Sequence, residues 1–369
     1  MPLLSVVVPV HNVERYLRAC LESVLVESSA EIEVVAVDDR SPDGSAGILR
    51  EYAVRDPRVR VVTLAQNVGL GRARNAGFAL ARGEYVWFVD SDDRLAEGAV
   101  GAVCARLREL RPEVLLVDHD RVYEDGAVER DASSPVLRGV DGVVSLDERP
   151  ELLRLQHTAW NKIVSAELIR AHGLVFPAGW YEDFPFSHPV LLAAERIAVL
   201  DRVCYHYRRG RDGAITTSVS ARHLEAVEQY RALWAGLAAR GPRFRRHDGR
   251  LFRLMIDHCL AVMGNADRLP SRARRDFFRR VVLLYREHRP AGGYPRPGSL
   301  GRIKHELIRL GWYPAYAALR WAWRSSRTLR ERRRGNPSPG AVGAVPAPRR
   351  SDHFDRREAA IGAGMDYGR

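Results

Sequence analysis

Four short apolar runs, at residues 3–10, 32–37, 59–64 and 85–89, are rich in Val and Ile and bounded by polar or glycine-bearing segments. Runs of this length and composition predict buried strands. Between them the period lengthens to that of a helix: residues 13–26 set Leu17, Leu21, Val24 and Leu25 on one face, and 45–54 and 71–81 behave alike. Strands alternating with helices of this length predict right-handed βαβ units, and so an α/β domain with a mostly parallel sheet covered on both faces. In such a sheet ligands collect at the carboxyl ends of the strands. The polar clusters sit there, at residues 9–12, 38–45, 66–75 and 90–93.

Further along, residues 113–144 read as strands and loops and residues 160–172 as a helical stretch. An apolar helix is expected over 184–194, followed by two short strands at 197–200 and 203–207 that complete a catalytic-type domain over 1–220. Three helical periods, 224–237, 251–263 and 277–285, predict an appended helical region extending to 334. From residue 335 to 369 the chain turns to Pro, Gly, Ala and charge, which cannot bury enough apolar surface to stay ordered, so a disordered tail is expected.

Composition narrows the classes. A chain of 369 residues with 46% hydrophobic content can fill more than one core, which excludes a disordered protein or a disulfide-stapled miniprotein. Cys20, Cys104, Cys204 and Cys259 lie far apart without a C-x-x-C pair, which fits a reducing compartment and suggests neither a zinc ribbon nor a disulfide framework. With no basic leader and no long uncharged window, the expected location is cytoplasmic. The net charge of +12 is uneven: residues 1–209 hold 32 acids against 25 bases, whereas residues 210–369 hold 33 bases against 14 acids. Residues 302–334 alone carry ten Lys or Arg and two acids, interleaved with Trp312, Trp321 and Trp323. That pattern fits an interfacial helix on an anionic membrane, peripheral on the inner face of the plasma membrane, and equally a helix packing its aromatics inward. No recognised nucleic-acid motif accompanies the charge, so no nucleic-acid partner is expected.

The chemistry concentrates in the strand-end clusters. Asp90, Ser91, Asp92 and Asp93 follow a buried run, and two carboxylates one residue apart repel each other unless a cation is present; their hard oxygens suit Mg²⁺ or Mn²⁺. Asp92 or Asp93 could instead cap a helix. Asp38 and Asp39 end the second strand as acceptors for a base or a ribose hydroxyl, with Asp43 and Ser45 read as helix caps. The small-residue segment 67–77 lets a ligand approach a helix N-terminus, but it lacks G-x-G-x-x-G, which counts against a dinucleotide-dependent dehydrogenase. Asp183 suits a general base and competes with a capping role before the apolar helix. His206 is a candidate metal or phosphate contact, and the hydroxyl-bearing turn at 215–218 a weak candidate for closing over a diphosphate.

Taken in order, Ser5 to Asn12, Val37 to Ser45, Asn67 to Gly77 and Phe88 to Asp93 resemble the family 2 glycosyltransferases of the nucleotide-diphospho-sugar transferase (GT-A) fold, a Rossmann-like architecture, over about residues 3–210. The resemblance implies nucleoside contacts at Asp38 and Asn67, donor stabilisation by Arg74, and a D-x-D metal site at Asp90 and Asp92; beside these, Pro9, Asn12, Asp39, Asp90 and Ser91 are expected to bind the nucleotide sugar, and His206 stays a candidate further metal ligand. Trp160, Asn161 and Lys162 with Tyr181, Glu182 and Asp183 are similar to members acting on bacterial surface polymers, teichoic acids included, in which the second acid of the Glu-Asp pair is the base. The implied reaction is inverting transfer from a nucleotide-diphosphate sugar, UDP-sugar favoured, to a glycan or polyol-phosphate acceptor. A nucleotidyltransferase and a non-enzymatic polyanion- or membrane-binding protein are the alternatives; the first would want a glycine-rich basic loop after the first strand, where Pro9, Val10, His11 and Asn12 stand.

Overall fold

The computed structural model describes residues 1–27, 31–211, 218–265 and 268–334. The expected tail from 335 and residues 215–217 of the hydroxyl-bearing turn lie outside them. Strand β1 (Leu4–Val10), helix α1 (Glu14–Leu25), β2 (Ile32–Asp38), α2 (Ser45–Arg55), β3 (Val59–Thr63), α3 (Leu70–Leu80) and β4 (Tyr85–Phe88) alternate as the periodicity predicts. Next come β5 (Arg94–Leu95), α4 (Ala99–Leu110), β6 (Val114–Tyr123), β7 (Val128–Glu129), α5 (Ser134–Leu137), β8 (Val143–Val144), β9 (Lys162–Ser165), α6 (Ala166–Ala171), α7 (Phe184–Ala193) and β10 (Ile197–Arg209). Helices α8 (Glu225–Ala239), α9 (Asp248–Gly264), α10 (Arg274–His288), α11 (Ser299–Leu310) and α12 (Tyr313–Arg334) follow.

Two expectations are corrected. The stretch 160–172 is not one helix: Lys162–Ser165 inserts between β4 and β6, antiparallel to both, and Ser165 then caps α6 by accepting from the Leu168 amide. A four-residue strand whose only apolar residues are Ile163 and Val164 is too short to show a period by which strand and helix can be told apart. The two strands at 197–200 and 203–207 are one, β10, whose pairing with β6 shifts register between Leu200 and Val203, where Asp201 and Arg202 are exposed.

The sheet order is β3-β2-β1-β4-β9-β6-β10-β5, with β7 on β6 and β8 on β10. Strands β1 to β4, β6 and β10 run in one direction and β9 opposes them. Alternation along β1 assigns Val6 and Val8 to a core with α1, α2 and α4, and Val7 to a core with α3 and α7. Tyr230, Leu233, Phe252, Ile256, Phe277, Val281 and Ile308 belong to that second core, so α8 to α11 are continuous with the sheet's covering layer. Gly77 permits the close seat of α3, since a Cβ there would meet Val7 Cγ1 at 2.4 Å. The chain runs outward from β1 through β2 to β3 and then returns to β4 on the other side of β1, so the switch point lies between β1 and β4, at their carboxyl ends.

Candidate active site

A cavity of about 980 Å³ opens at this switch point. Its walls are the β1–α1 loop, the loop into α3, the segment after β4, residues 156–160, residues 179–184 before α7, and side chains from the C-terminal helices.

Pro9 and Asn12 line the first wall, with Asn12 in the left-handed region at φ 54°. The start of α1 is held from β2's loop: Asp43 accepts from the Glu14 amide at 2.9 Å, Glu14 accepts from the Gly44 amide at 2.8 Å, and Ser45 Oγ accepts from the Val13 amide. The N-cap position of α2 is Gly44, without a side-chain capping bond, but Asp43 also accepts from the amide of Ser45, the first residue of α2, at 3.1 Å, so it serves both helix starts, while Ser45 Oγ holds the neighbouring one. Asp38 and Asp39 separate. Asp38, the last residue of β2, is 3% exposed, accepts from the Ser41 amide at 2.9 Å and does not line the cavity. Asp39, one residue on and therefore turned the other way, lies on the wall and accepts from the Val68 and Gly69 amides at 2.7 and 2.9 Å. That bond draws the entry of α3 toward β2 and places Asn67 on the wall, where its Nδ2 meets His11 Nδ1 at 3.1 Å.

The D-S-D-D segment divides its labour. Asp93 is buried and locked, its Oδ2 accepting from the Tyr205 hydroxyl at 2.8 Å and its Oδ1 from the Arg208 amide at 2.7 Å. Asp90, Ser91 and Asp92 line the cavity. Neither Asp92 nor Asp93 caps α4, whose N-cap position is Gly98. Asp92 pairs with Arg211 Nε, yet burial, reinforced by the Asp90 charge, raises its pKa above the usual carboxylate range in spite of that arginine. His206 stands apart. Tyr205 and Tyr207 face the D-S-D-D side of β10, so the period-two alternation sends His206 to the other side, where its Nδ1 lies 3.7 Å from Asp120. It is not on the cavity wall, and among the described residues no three His, Cys, Asp or Glu side chains form a metal-holding group.

Arg74 joins the halves of the site. Gly71, one turn earlier on α3, lets the helix approach the chain before α7; a Cβ there would lie 2.4 Å from the Pro177 carbonyl and 2.9 Å from Glu182 Cγ. The guanidinium is 0% exposed, packs over the Phe176 ring at 5.2 Å, and donates to Asp90 at 2.6 Å and to Glu182 and Asp183 at 2.8 Å each. Burial opposes its charge, but the three carboxylates outweigh burial and hold its pKa above the ordinary value. Burial, with Asp183 adding and Arg74 opposing, lifts Glu182 to about 8. Burial likewise raises Asp183, against Arg74 and with Asp90 adding. Asp183 occupies the N-cap position of α7 but has helical φ and ψ and makes no side-chain capping bond; its carboxylate turns to Arg74.

The wall at 156–158 depends on Lys162, whose Nζ donates to the Gln156 and Thr158 carbonyls and to Asn161 Oδ1 at 3.2, 2.9 and 2.6 Å. Burial brings this lysine's pKa down to about 7. Tyr16, Gln156, Arg211, His258 and Arg268 also line the cavity. They come from distant parts of the chain, and no motif marks them.

The sequence model of Glycosyl transferase family 2 matches residues 5–164, the stretch that carries the cavity's β1 to β4 walls. A glycosyltransferase of Streptococcus pneumoniae, GlyG, is 30% identical over 224 residues, which span 58% of this chain and 72% of that protein. The chain belongs to glycosyl transferase family 2. The uncharacterized glycosyltransferase EpsJ of Bacillus subtilis is 34% identical over 217 residues, 56% of this chain and 61% of EpsJ, so the match spans about three-fifths of that relative. The crystal structure of S. aureus TarS 1-349 in complex with UDP-GlcNAc superposes with a TM-score of 0.69 at 22% identity, covering 88% of this chain and 92% of that one. The fold shared with that structure thus reaches well beyond residue 164.

Proposed function

We propose that the chain is an inverting, divalent-metal-dependent glycosyltransferase that moves a hexosyl or N-acetylhexosaminyl group from a nucleotide-diphosphate sugar to a hydroxyl of a cell-envelope glycan or polyol-phosphate polymer. The observation carrying this reading is Arg74, one buried guanidinium tying Asp90 of the D-S-D-D segment to Asp183 across the cavity. The UDP-GlcNAc and UDP complexes of TarS favour a UDP-sugar as donor. The acids that Arg74 bridges have distinct tasks in this reading. Pro9, Asn12, Asp39 and Asn67 hold the nucleoside, with Asp38 bracing the turn behind them.

Asp90 and Asp92 are the residues that would hold Mg²⁺ or Mn²⁺. The donor set fits in chemistry: Asp90 and Asp92 both line the cavity two residues apart with hard carboxylate oxygens, Asp90 held by Arg74 and Asp92 by Arg211. A cation bound there supplies charge neutralisation for the departing diphosphate. Asp183 accepts the proton of the acceptor hydroxyl; burial strengthens it as a base while Arg74 keeps it oriented. Burial and the neighbouring Asp183 charge favour the protonated form of Glu182, against the pull of Arg74. One base and one displacement invert the anomeric centre.

The test is a thermal-shift screen of UDP, GDP, dTDP and CDP sugars with Mn²⁺, followed by transfer assays with and without EDTA. A shift with a UDP-sugar and transfer abolished by EDTA are expected. Absence of any nucleotide-sugar shift would remove the donor assignment, equal turnover in EDTA the metal, and a nucleotidyl product with released pyrophosphate would make the chain a nucleotidyltransferase.

The proposal includes a peripheral place on the cytoplasmic face of an anionic membrane. Leu307, Ile308 and Tyr316 are buried, so α11 and α12 pack on the helical region, yet Trp312 and Trp321 remain 57% and 71% exposed, close in sequence to Leu310, Arg309 and Arg320. Among the described residues no helix is long and apolar enough to cross a membrane. Amphipathic contact with acidic headgroups suits this combination.

A further inference from the structure

The cavity that Asp183 lines also carries a charge that the transfer chemistry above does not use. Arg268, just before α10, lines the cavity, is 6% exposed, and its Nε has no hydrogen-bond partner. No carboxylate among the described residues forms an ion pair with it; Glu225, on α8, is committed to Arg222 at 2.7 Å and to the Trp180 amide at 2.7 Å. The rings around it are neutral. His258 and His157, both under the influence of the Arg268 charge, have pKa values pushed down by burial first, His258 to about 3. Tyr181, two residues before Asp183, meets His223 Nδ1 at 2.6 Å and offers Arg268 a neutral hydroxyl, not a counter-charge.

A buried guanidinium without a counter-charge is costly, and proteins tolerate one where a ligand supplies the anion. The adjoining wall is also left unsatisfied: Gln156 Oε1, Thr158 Oγ1 and His258 Nδ1 are buried without partners, and His258 is 5% exposed. Trp180, with Arg222 over its ring at 4.5 Å, adds an aromatic surface to the cavity wall; the Arg222 charge itself is compensated by Glu225. The Arg268 cation, the aromatic surface and the unpaired polar atoms together form a receptor for a sugar or polyol bearing a phosphate or carboxylate.

We infer that Arg268 anchors an anionic group of the acceptor, so that this enzyme glycosylates an acid-bearing chain and not a neutral one. This rests on the transferase reading, in which Asp183 faces the acceptor hydroxyl. The donor's own diphosphate is the other source of such an anion, and the experiment separates the two.

Full-length protein, wild type and Arg268→Gln, is titrated calorimetrically with glucose 6-phosphate, glucuronate and glucose, with and without saturating UDP and Mn²⁺, and UDP affinity is measured in parallel. The wild type should bind at least one anionic sugar at least tenfold more tightly than glucose whether or not UDP is bound. Arg268→Gln should lose that preference while its UDP affinity stays within twofold. The variant's melting temperature without ligand should be no lower than that of the wild type, since an unpaired buried charge has been removed, and Arg268→Lys should restore part of the preference. Equal binding of glucose and the anionic sugars, loss of the anion response on UDP loading, a fall in UDP affinity in the variant, or a melting temperature lowered by the substitution would each overturn the assignment. If UDP binds and transfer proceeds without any preference for anionic sugars, this inference fails and the transferase reading stands. Failure of UDP to bind strikes the transferase reading, and the titration without UDP still reads the anion site.

Discussion

Replacing Arg74 by Met tests the centre of the site, because its guanidinium is the shared partner of Asp90, Glu182 and Asp183 at 2.6 to 2.8 Å. Methionine fills similar volume over Phe176 but leaves three acids around an uncharged thioether. Removing one partner of a buried ion pair costs about 3–5 kcal/mol, and that loss should appear in urea unfolding at pH 8. Its pH dependence has a definite sign. Glu182 and Asp183 already have folded-state pKa values above their ordinary ones, Glu182 about 8, and without Arg74 both must rise further. Between the ordinary carboxylate range and the raised values the folded state holds more protons than the unfolded one, so stability falls as pH rises. Arg74→Met should therefore recover much of its stability at pH 5.5, whereas Arg74→Lys, a point charge unable to span three carboxylates, should fold and lose about 10²-fold in turnover through misplacement of Asp90 and Asp183. A Met variant as stable as the wild type at pH 8, or equally destabilised at pH 5.5 and 8, would refute the charge-hub reasoning.

Asp92→Asn keeps the shape of the segment and removes one charge from the cation site; transfer should fall by the several kcal/mol that a bound cation contributes to leaving-group stabilisation, with apparent Mn²⁺ affinity, read by titrating activity, weakened in step. Unchanged Mn²⁺ dependence would contradict it. Substituting Trp312 and Trp321 by Ser should lower binding to vesicles rich in phosphatidylglycerol, measured by flotation, without altering transfer to a small soluble acceptor. Binding by the intact protein should weaken with added salt, because surface attraction decays within ~8 Å at physiological ionic strength.

The first four strands and three helices were legible because each is a complete apolar run or a complete helical period closed by polar residues, and the strand ends named most of the cavity's acids. What escaped was decided by direction and distance. Asp38 and Asp39 are adjacent, and which one reaches the cavity depends on where β2 stops alternating; His206 is separated from Tyr205 and Tyr207 by one step of the pleat. The bonds from Arg74 to Glu182 and Asp183 span 108 and 109 residues, so its role as a bridge was invisible where its presence in a motif was plain. Lys162–Ser165 was too short to show a period, and Arg268 belongs to no pattern at all.

The central claim is that Asp183 is the base of a single displacement, and it is tested most directly by comparing Asp183→Asn with the wild type in sugar transfer and in UDP binding on the same preparation, with the anomeric configuration of the wild-type product read by NMR. The expected result is UDP affinity within twofold of the wild type, transfer reduced by ~10²- to 10⁴-fold, and a β-linked product from an α-linked donor. Undiminished transfer by Asp183→Asn, or an α-linked product from the wild type, would contradict the account.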